Sequence, residues 1–152
     1  MERFVKRLPS DIILQIIPYT YNLQNKDLLN DIVNYKETQT ILSELYYNYW
    51  IVYAEEHPEE DRNVLINDIF GYANNDVGLM YGYVDKFYTI FKRNIFLQTE
   101  EAIDNYVKRL DNGNVNTEIN IFLGLLNMNE RNDLVIAFSK KYRLDITHVL
   151  IQ

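Results

Sequence analysis

Apolar residues recur at intervals of three and four along most of the chain, which is the period of an α-helix. The strongest run is 38–56, where one predicted core stripe contains Ile41, Leu45, Tyr49 and Val52. The two-residue alternation that is typical of a half-buried strand is hard to find. The pattern therefore predicts an all-α fold of packed antiparallel helices.

Start and stop signals divide this pattern into about seven to nine helices. Ser10 is placed to cap a first helix, which Pro18 ends, and the segment 111–114 is a strong helix breaker. No linker separates two domains, so we expect a single domain over residues 1–152. The predicted helices are Asp11–Ile17, Lys26–Tyr35, Thr38–Glu56, Asn63–Ala73, Val77–Phe96, Thr99–Leu110, Thr117–Met128, Glu130–Tyr142 and Asp145–Leu150.

Two of these helices have a predicted apolar face that matters below. On Lys26–Tyr35 the apolar face consists of Leu28, Leu29, Ile32 and Val33. On Val77–Phe96 it consists of Met80, Val84, Phe87, Phe91 and Ile95. The octapeptide 28–35 also resembles 65–72 at an offset of 37 residues, which is either a helical-hairpin repeat or a coincidence of composition.

Composition and charge exclude several classes of protein. The 152 residues carry a net charge of −7, which argues against a nucleic-acid groove. The absence of Cys excludes a disulfide framework and a thiolate zinc site. The longest uncharged windows are shorter than the ~20 apolar residues that a membrane-spanning helix needs.

Candidate catalytic and metal-binding residues form no convincing set. None of the three serines lies in a Gly-x-Ser-x-Gly elbow, and the five glycines are scattered. His57 lies in an acidic segment, 55–61, that we interpret as a solvated turn, and His148 lies in the last predicted helix. We therefore expect a protein that is not an enzyme and has no cofactor or metal.

The most informative feature is an aromatic run in the helix 38–56, formed by Tyr46, Tyr47, Tyr49, Trp50 and Tyr53. Its flanking charges are acidic, which disfavours stacking on nucleic-acid bases. Helical geometry cannot bury all five rings on one side. Tyr47 and Trp50 share a face, and we expect them to lie at the surface and contact a partner protein. The alternative is that these rings only fill the core.

Residues 8–50 resemble an F-box. Leu8-Pro9, followed by Asp11-Ile12-Ile13, resembles the opening signature of that family. Leu28-Leu29 match its usual leucine pair, and Trp50 stands near its customary closing tryptophan. The segment Ile17-Pro18-Tyr19-Thr20-Tyr21 is similar to F-box-like proteins of large nucleocytoplasmic DNA viruses, whose AT-rich genomes favour Asn, Ile and Tyr.

The resemblance implies a small adaptor protein of a host cullin ubiquitin ligase as partner. In that case residues 55–152 recruit a substrate, and the adaptor is contacted by Leu8, Pro9, Ile13 and Ile17.

We expect a viral, non-enzymatic protein–protein interaction protein, most simply a structural component such as a minor capsid or virion-assembly protein. The alternative is an F-box-like substrate adaptor that engages a host ubiquitin ligase. The expected partners are other virion components or the ligase adaptor, with no nucleic acid and no membrane span. The expected location is the virion or the host cytoplasm.

Overall fold

The computed structural model describes residues 25–142, and this part of the chain contains helices and no strand. The all-α prediction is confirmed. The six α-helices within these residues are α1 (Lys26–Tyr46), α2 (Glu60–Ala73), α3 (Asp85–Phe91), α4 (Glu100–Leu110), α5 (Val115–Leu125) and α6 (Met128–Lys141). The predicted helices Asp11–Ile17 and Asp145–Leu150 lie outside the described residues.

The chain divides into two compact units, residues 1–32 and 33–152. Within the first unit the structure describes only 25–32, the beginning of α1. All the contacts discussed below lie within the second unit. The expected single domain over 1–152 stays a prediction.

One continuous helical segment replaces the two helices predicted over 26–56. α1 runs without a break from Lys26 to Tyr46 and continues as a π-helical turn, Tyr47–Tyr53. The prediction of a boundary near residue 36 is wrong. Neither glycine nor proline occurs between Asn34 and Tyr46, so nothing in the sequence stops helix propagation there.

Phenylalanines from three helices form the aromatic centre of the core. Phe87 and Phe91 of α3 and Phe122 of α5 are fully buried, and Phe70 of α2 packs against them. The Phe91 and Phe122 rings meet edge to face with centroids 5.2 Å apart, a favoured aromatic geometry. Phe87 and Phe91, two members of the predicted apolar face on 77–96, therefore lie in the core.

The predicted long helix Val77–Phe96 is wrong in extent. Its α-helical part is only α3, which is preceded by a 3₁₀ turn, Leu79–Tyr81. Met80 and Ile95, which belong to the apolar spacing of that predicted helix, are 84% and 76% exposed. The run of apolar residues at helical spacing is therefore longer than the helix α3, and its members outside α3 include the exposed Met80 and Ile95.

A buried asparagine determines the path of the chain before α3. The Asn74 side chain donates to the carbonyl oxygens of Val77 (2.8 Å) and Gly82 (3.1 Å) and accepts from the Val84 amide (2.9 Å). Gly82 adopts a φ of 81°, which glycine tolerates and other residues rarely do. These bonds hold residues 77–84 as a loop, because they occupy backbone groups that a helix would use.

An arginine caps the end of α5. Arg131 of α6 is 1% exposed, and its guanidinium donates to the carbonyl oxygens of Leu123 (3.2 Å) and Leu126 (2.8 Å). Its Nε also donates to Asn34 Oδ1 at 2.8 Å. The last carbonyls of a helix have no partner within it, so Arg131 supplies the donors that these groups need.

A capping box begins α6. The Asn127 side chain accepts from the Glu130 amide, and the Glu130 carboxylate accepts from the Asn127 amide. The same carboxylate forms a bidentate pair with Arg93, with N···O distances of 2.5 and 2.8 Å. The Arg93 hydrogen bonds lower the pKa of Glu130. Arg93 thereby ties the segment after α3 to the start of α6.

Candidate protein-binding surface

The π-helical turn Tyr47–Tyr53, here called the aromatic turn, is the most unusual surface of the described chain. Six of its seven residues are apolar or aromatic, and none of them is buried. The Ala54 amide donates to the Tyr49 carbonyl at 2.9 Å, an i→i+5 bond that widens the helix. π-Turns are rare and occur frequently at functional sites.

The outer side of the aromatic turn is exposed. Tyr47, Val52 and Tyr53 are 52%, 59% and 81% exposed. The predicted exposure of Tyr47 is confirmed. Trp50 is only half-buried and packs against the core, so its expected surface position is met in part. Whether either residue contacts a partner stays a prediction.

The predicted core stripe is wrong at Val52. Leu45 and Tyr49 are half-buried, as an inward face requires, but Val52 points to solvent. The buried residues of this segment are instead Thr38, Leu42 and Tyr46. The π-turn explains the exposure of Val52, because it holds more residues per turn and shifts the side chains within it relative to a 3.6-residue period.

A carboxylate anchors the base of the aromatic turn. Asp68 of α2 accepts hydrogen bonds from the Tyr46 hydroxyl (2.7 Å) and the Tyr142 hydroxyl (2.6 Å) on Oδ2, and from Lys141 Nζ (2.6 Å) on Oδ1. We call these four residues the Asp68 hub. It joins the end of α1 to the middle of α2 and the end of α6.

The electrostatics of the hub keep its phenols protonated. Burial, followed by the hydrogen bond to Asp68, raises the pKa of Tyr46 well above its usual range. The same two causes raise the pKa of Tyr142. Both hydroxyls therefore remain donors to the carboxylate throughout the neutral pH range.

Tyr142 connects the hub to the aromatic turn. Its ring centroid lies 5.3 Å from that of Tyr46, 4.9 Å from that of Tyr49 and 6.1 Å from that of Trp50. The rings of Tyr49 and Trp50 are themselves edge to face at 5.3 Å. The inner side of the turn is therefore held by packed rings, while its outer side stays open.

The indole N–H of Trp50 is buried and has no hydrogen-bond partner among the described residues. A buried donor left unpaired costs about 1–3 kcal/mol. This cost accompanies the half-buried position of the ring, and it lowers the contribution of the aromatic turn to the stability of the fold.

The sequence-predicted interface residues do not all fall within the described structure. Leu8, Pro9, Ile13 and Ile17 lie outside residues 25–142, so no geometry relates them to Tyr47 or Trp50. Sequence reasoning missed Asp68 and Tyr142, which position the turn. Their pairing spans 74 residues, and no local spacing in the sequence signals it.

Neither a metal-binding cluster nor a membrane-spanning helix occurs among the described residues. Across 25–142, no three His, Cys, Asp or Glu side chains come together in a way that could hold a metal ion. No helix in that stretch is long and apolar enough to cross a bilayer. Comparison with known proteins adds no relative, since no protein-family model, curated protein or solved structure matches this chain.

Proposed function

We propose that this protein is a non-enzymatic protein–protein interaction protein that binds its partner through the aromatic turn, as a minor structural component of a virus particle. The observation that carries the binding role is that six of seven residues in the turn are apolar or aromatic and none is buried. Exposed aromatic clusters of this kind typically mark interaction sites.

The anchoring of the turn supports this role. Binding costs less free energy when the contacting side chains are already ordered. Tyr142 and the Asp68 hub hold the inner rings, so Tyr47 and Tyr53 project from a segment with little freedom left to lose. A surface prepared in this way favours association with a second protein.

The charges around the turn favour a protein partner over a nucleic acid. Glu44, Glu55 and Glu56 flank the aromatic residues and are exposed. Carboxylates repel the phosphates of a nucleic acid, whereas they complement a basic rim on a protein. We infer a partner with an apolar centre and a basic margin.

The viral part of the proposal rests on the sequence. The resemblance of residues 8–50 to F-box-like proteins of large DNA viruses supports it, as does a composition rich in Asn and Tyr. The F-box-like adaptor remains the alternative, carried by the Leu8-Pro9 signature. The two roles differ in partner, so one experiment separates them.

The test compares two tyrosines of equal exposure. Tyr53 in the aromatic turn is 81% exposed, and Tyr81 in the 3₁₀ turn is 80% exposed. Tyr53→Ala should lower the copy number of the protein in purified virions. It should also lower the affinity of the protein for its neighbour in the particle, identified by cross-linking, by about tenfold or more. Tyr81→Ala should change neither beyond about twofold. Quantitative mass spectrometry of the particles gives the readout.

Absence of the unaltered protein from purified particles overturns the structural role. Equal effects of Tyr53→Ala and Tyr81→Ala overturn the assignment to the aromatic turn. Recovery of a ubiquitin-ligase adaptor that Ile13→Asp abolishes and Tyr53→Ala leaves intact establishes the alternative instead.

A further inference from the structure

A polar cavity lies where α1, α2 and α5 meet, and the aromatic turn does not account for it. Its volume is about 260 Å³. Its polar lining consists of Gln39, Ser43, Asp61, Arg62, Asn116 and Asn120. Six hydrogen-bonding side chains around one small space are the composition of a site for a polar ligand.

Asp61 is the unusual member of this lining. The residue is only 8% exposed, and its Oδ1 has no hydrogen-bond partner in the described chain. The Nε of Arg62 lies 3.8 Å from that oxygen, which is too far for a hydrogen bond. A buried carboxylate oxygen without a donor is costly, so a donor from outside the chain that reached Asp61 Oδ1 would stabilise this arrangement.

The other polar groups do not fill that role. Gln39 Nε2 donates instead to Asn120 Oδ1 at 2.5 Å, a bond that joins α1 to α5. Arg62 forms an ion pair with Asp61 without a hydrogen bond, and its side chain is 40% exposed, so part of the guanidinium remains accessible to a ligand. Two opposite charges thus lie next to each other at the cavity. Asp61 has an oxygen without a hydrogen-bond donor, and Arg62 can donate hydrogen bonds to an anion.

Charge matching selects the class of ligand. A cation would be attracted by Asp61 and repelled by Arg62. An anion would be attracted by Arg62 and repelled by Asp61. A molecule that carries an ammonium group and a carboxylate satisfies both, and Arg pairs with carboxylates through two parallel hydrogen bonds. Leu65 and Ile119 complete part of the lining and offer an apolar contact.

Size narrows the class further. The cavity is smaller than the roughly 300–1,000 Å³ that is typical of sites for drug-sized ligands. We propose that it binds a free α-amino acid, with the ammonium group at Asp61 and the carboxylate at Arg62. This site is separate from the protein-binding role proposed above and does not depend on it.

Titration calorimetry on the full chain tests the proposal with glycine, L-valine and L-phenylalanine, which span the range of side-chain size. At least one should bind saturably at one molecule per chain. For L-valine the matched single-charge probes are isobutylamine, which lacks the carboxylate, and 3-methylbutanoate, which lacks the ammonium group. The corresponding single-charge analogues of whichever amino acid binds should bind about tenfold more weakly or worse.

Variants assign the binding to the cavity. Asp61→Asn and Arg62→Gln should each weaken amino-acid binding by about tenfold or more. The control is Glu60→Gln, which removes one negative charge as Asp61→Asn does, lies in the same turn of α2 outside the cavity lining, and should stay within about twofold.

Three results overturn the proposal: no binding by any of the three amino acids, equal binding of an amino acid and its single-charge analogues, or equal binding by Glu60→Gln, Asp61→Asn and Arg62→Gln. Circular dichroism verifies that each variant is folded. The comparison of analogues on the unaltered protein decides the question even if Asp61→Asn does not fold.

Discussion

Arg131 shows how much a single side chain contributes to this fold. Its charge is almost completely removed from solvent, and its guanidinium bonds to the end of α5 and to Asn34 of α1. A buried arginine is tolerated only when its donors are satisfied, because the desolvation of its charge is otherwise uncompensated. Arg131 therefore joins three helices at one point.

We expect Arg131→Met to lower the free energy of unfolding by about 3–5 kcal/mol, because it leaves the Leu123 and Leu126 carbonyls buried without donors. Urea denaturation of the two proteins measures the change. The control is Arg109→Met in α4, which removes an exposed arginine and should cost less than about 1 kcal/mol. Similar losses in both variants would contradict the capping role of Arg131.

At the scale of the elements, boundaries with a local chemical signal were predictable from the sequence. Thr99 caps α4 by accepting from the Ala102 amide, as the sequence suggests, and the breaker at 111–114 separates α4 from α5. The π-turn was not predictable, because the Asp68 hub at its base joins residues that are 22 and 74 positions apart. The loop before α3 is held by bonds from Asn74 to residues at most ten positions away, but the 3–4 spacing of apolar residues over 77–96 favoured a helix there.

Similar sequences also differ in burial here. Leu28 and Ile32 are 55% and 53% exposed, whereas their counterparts at the offset of 37 residues, Leu65 and Ile69, are 2% and 0% exposed. The apolar pattern of an isolated helix specifies which residues share a face. It does not specify how much of that face is exposed, so the difference in burial between these two segments was not predictable.

Glu130, at the start of α6, should make the free energy of unfolding depend on pH. The pKa of Glu130 is lowered in the folded state, so its charged form stabilises the fold above the unfolded value of about 4.3. That contribution is lost as the pH falls from this value through the folded pKa. Glu130→Gln retains the capping hydrogen bond, removes the charge and should cost about 1 kcal/mol at pH 7, a cost that shrinks as the pH falls through the folded pKa.

Thermal or urea unfolding across this pH range provides the measurement. Glu44→Gln makes the same charge change at an exposed position of α1 and serves as the control. A difference between Glu130→Gln and the unaltered protein that does not shrink as the pH falls below about 4.3 would contradict the Arg93 pair as the source of the effect.

Across the described molecule, aromatic residues fall into two groups with opposite surroundings. Phe87, Phe91 and Phe122 have no exposed surface, whereas Phe96 and Tyr53 are 83% and 81% exposed. Aromatic content alone therefore says little about the size of the core. Its distribution separates the side chains that stabilise the fold from those left on the surface.

Two phenylalanines make this distinction measurable. Phe122→Ala should lower the free energy of unfolding by about 3–5 kcal/mol, because it opens a cavity among Phe70, Phe87 and Phe91. Phe96→Ala removes the same group from the surface and should change it by less than about 0.5 kcal/mol. A large loss from Phe96→Ala would show that residues 95–96 are covered in solution.

The aromatic turn also has a consequence for descent. A π-turn holds one residue more than the α-helical turn it replaces, so it arises from a helix by insertion of a single codon. Removal of one residue from 47–53 should restore a regular helix and rotate the later side chains back toward the 3.6-residue pattern. A homologue without the exposed tyrosines would then align with this chain through a one-residue gap inside that segment. The branch of a family tree on which the gap first occurs would show when the aromatic turn arose.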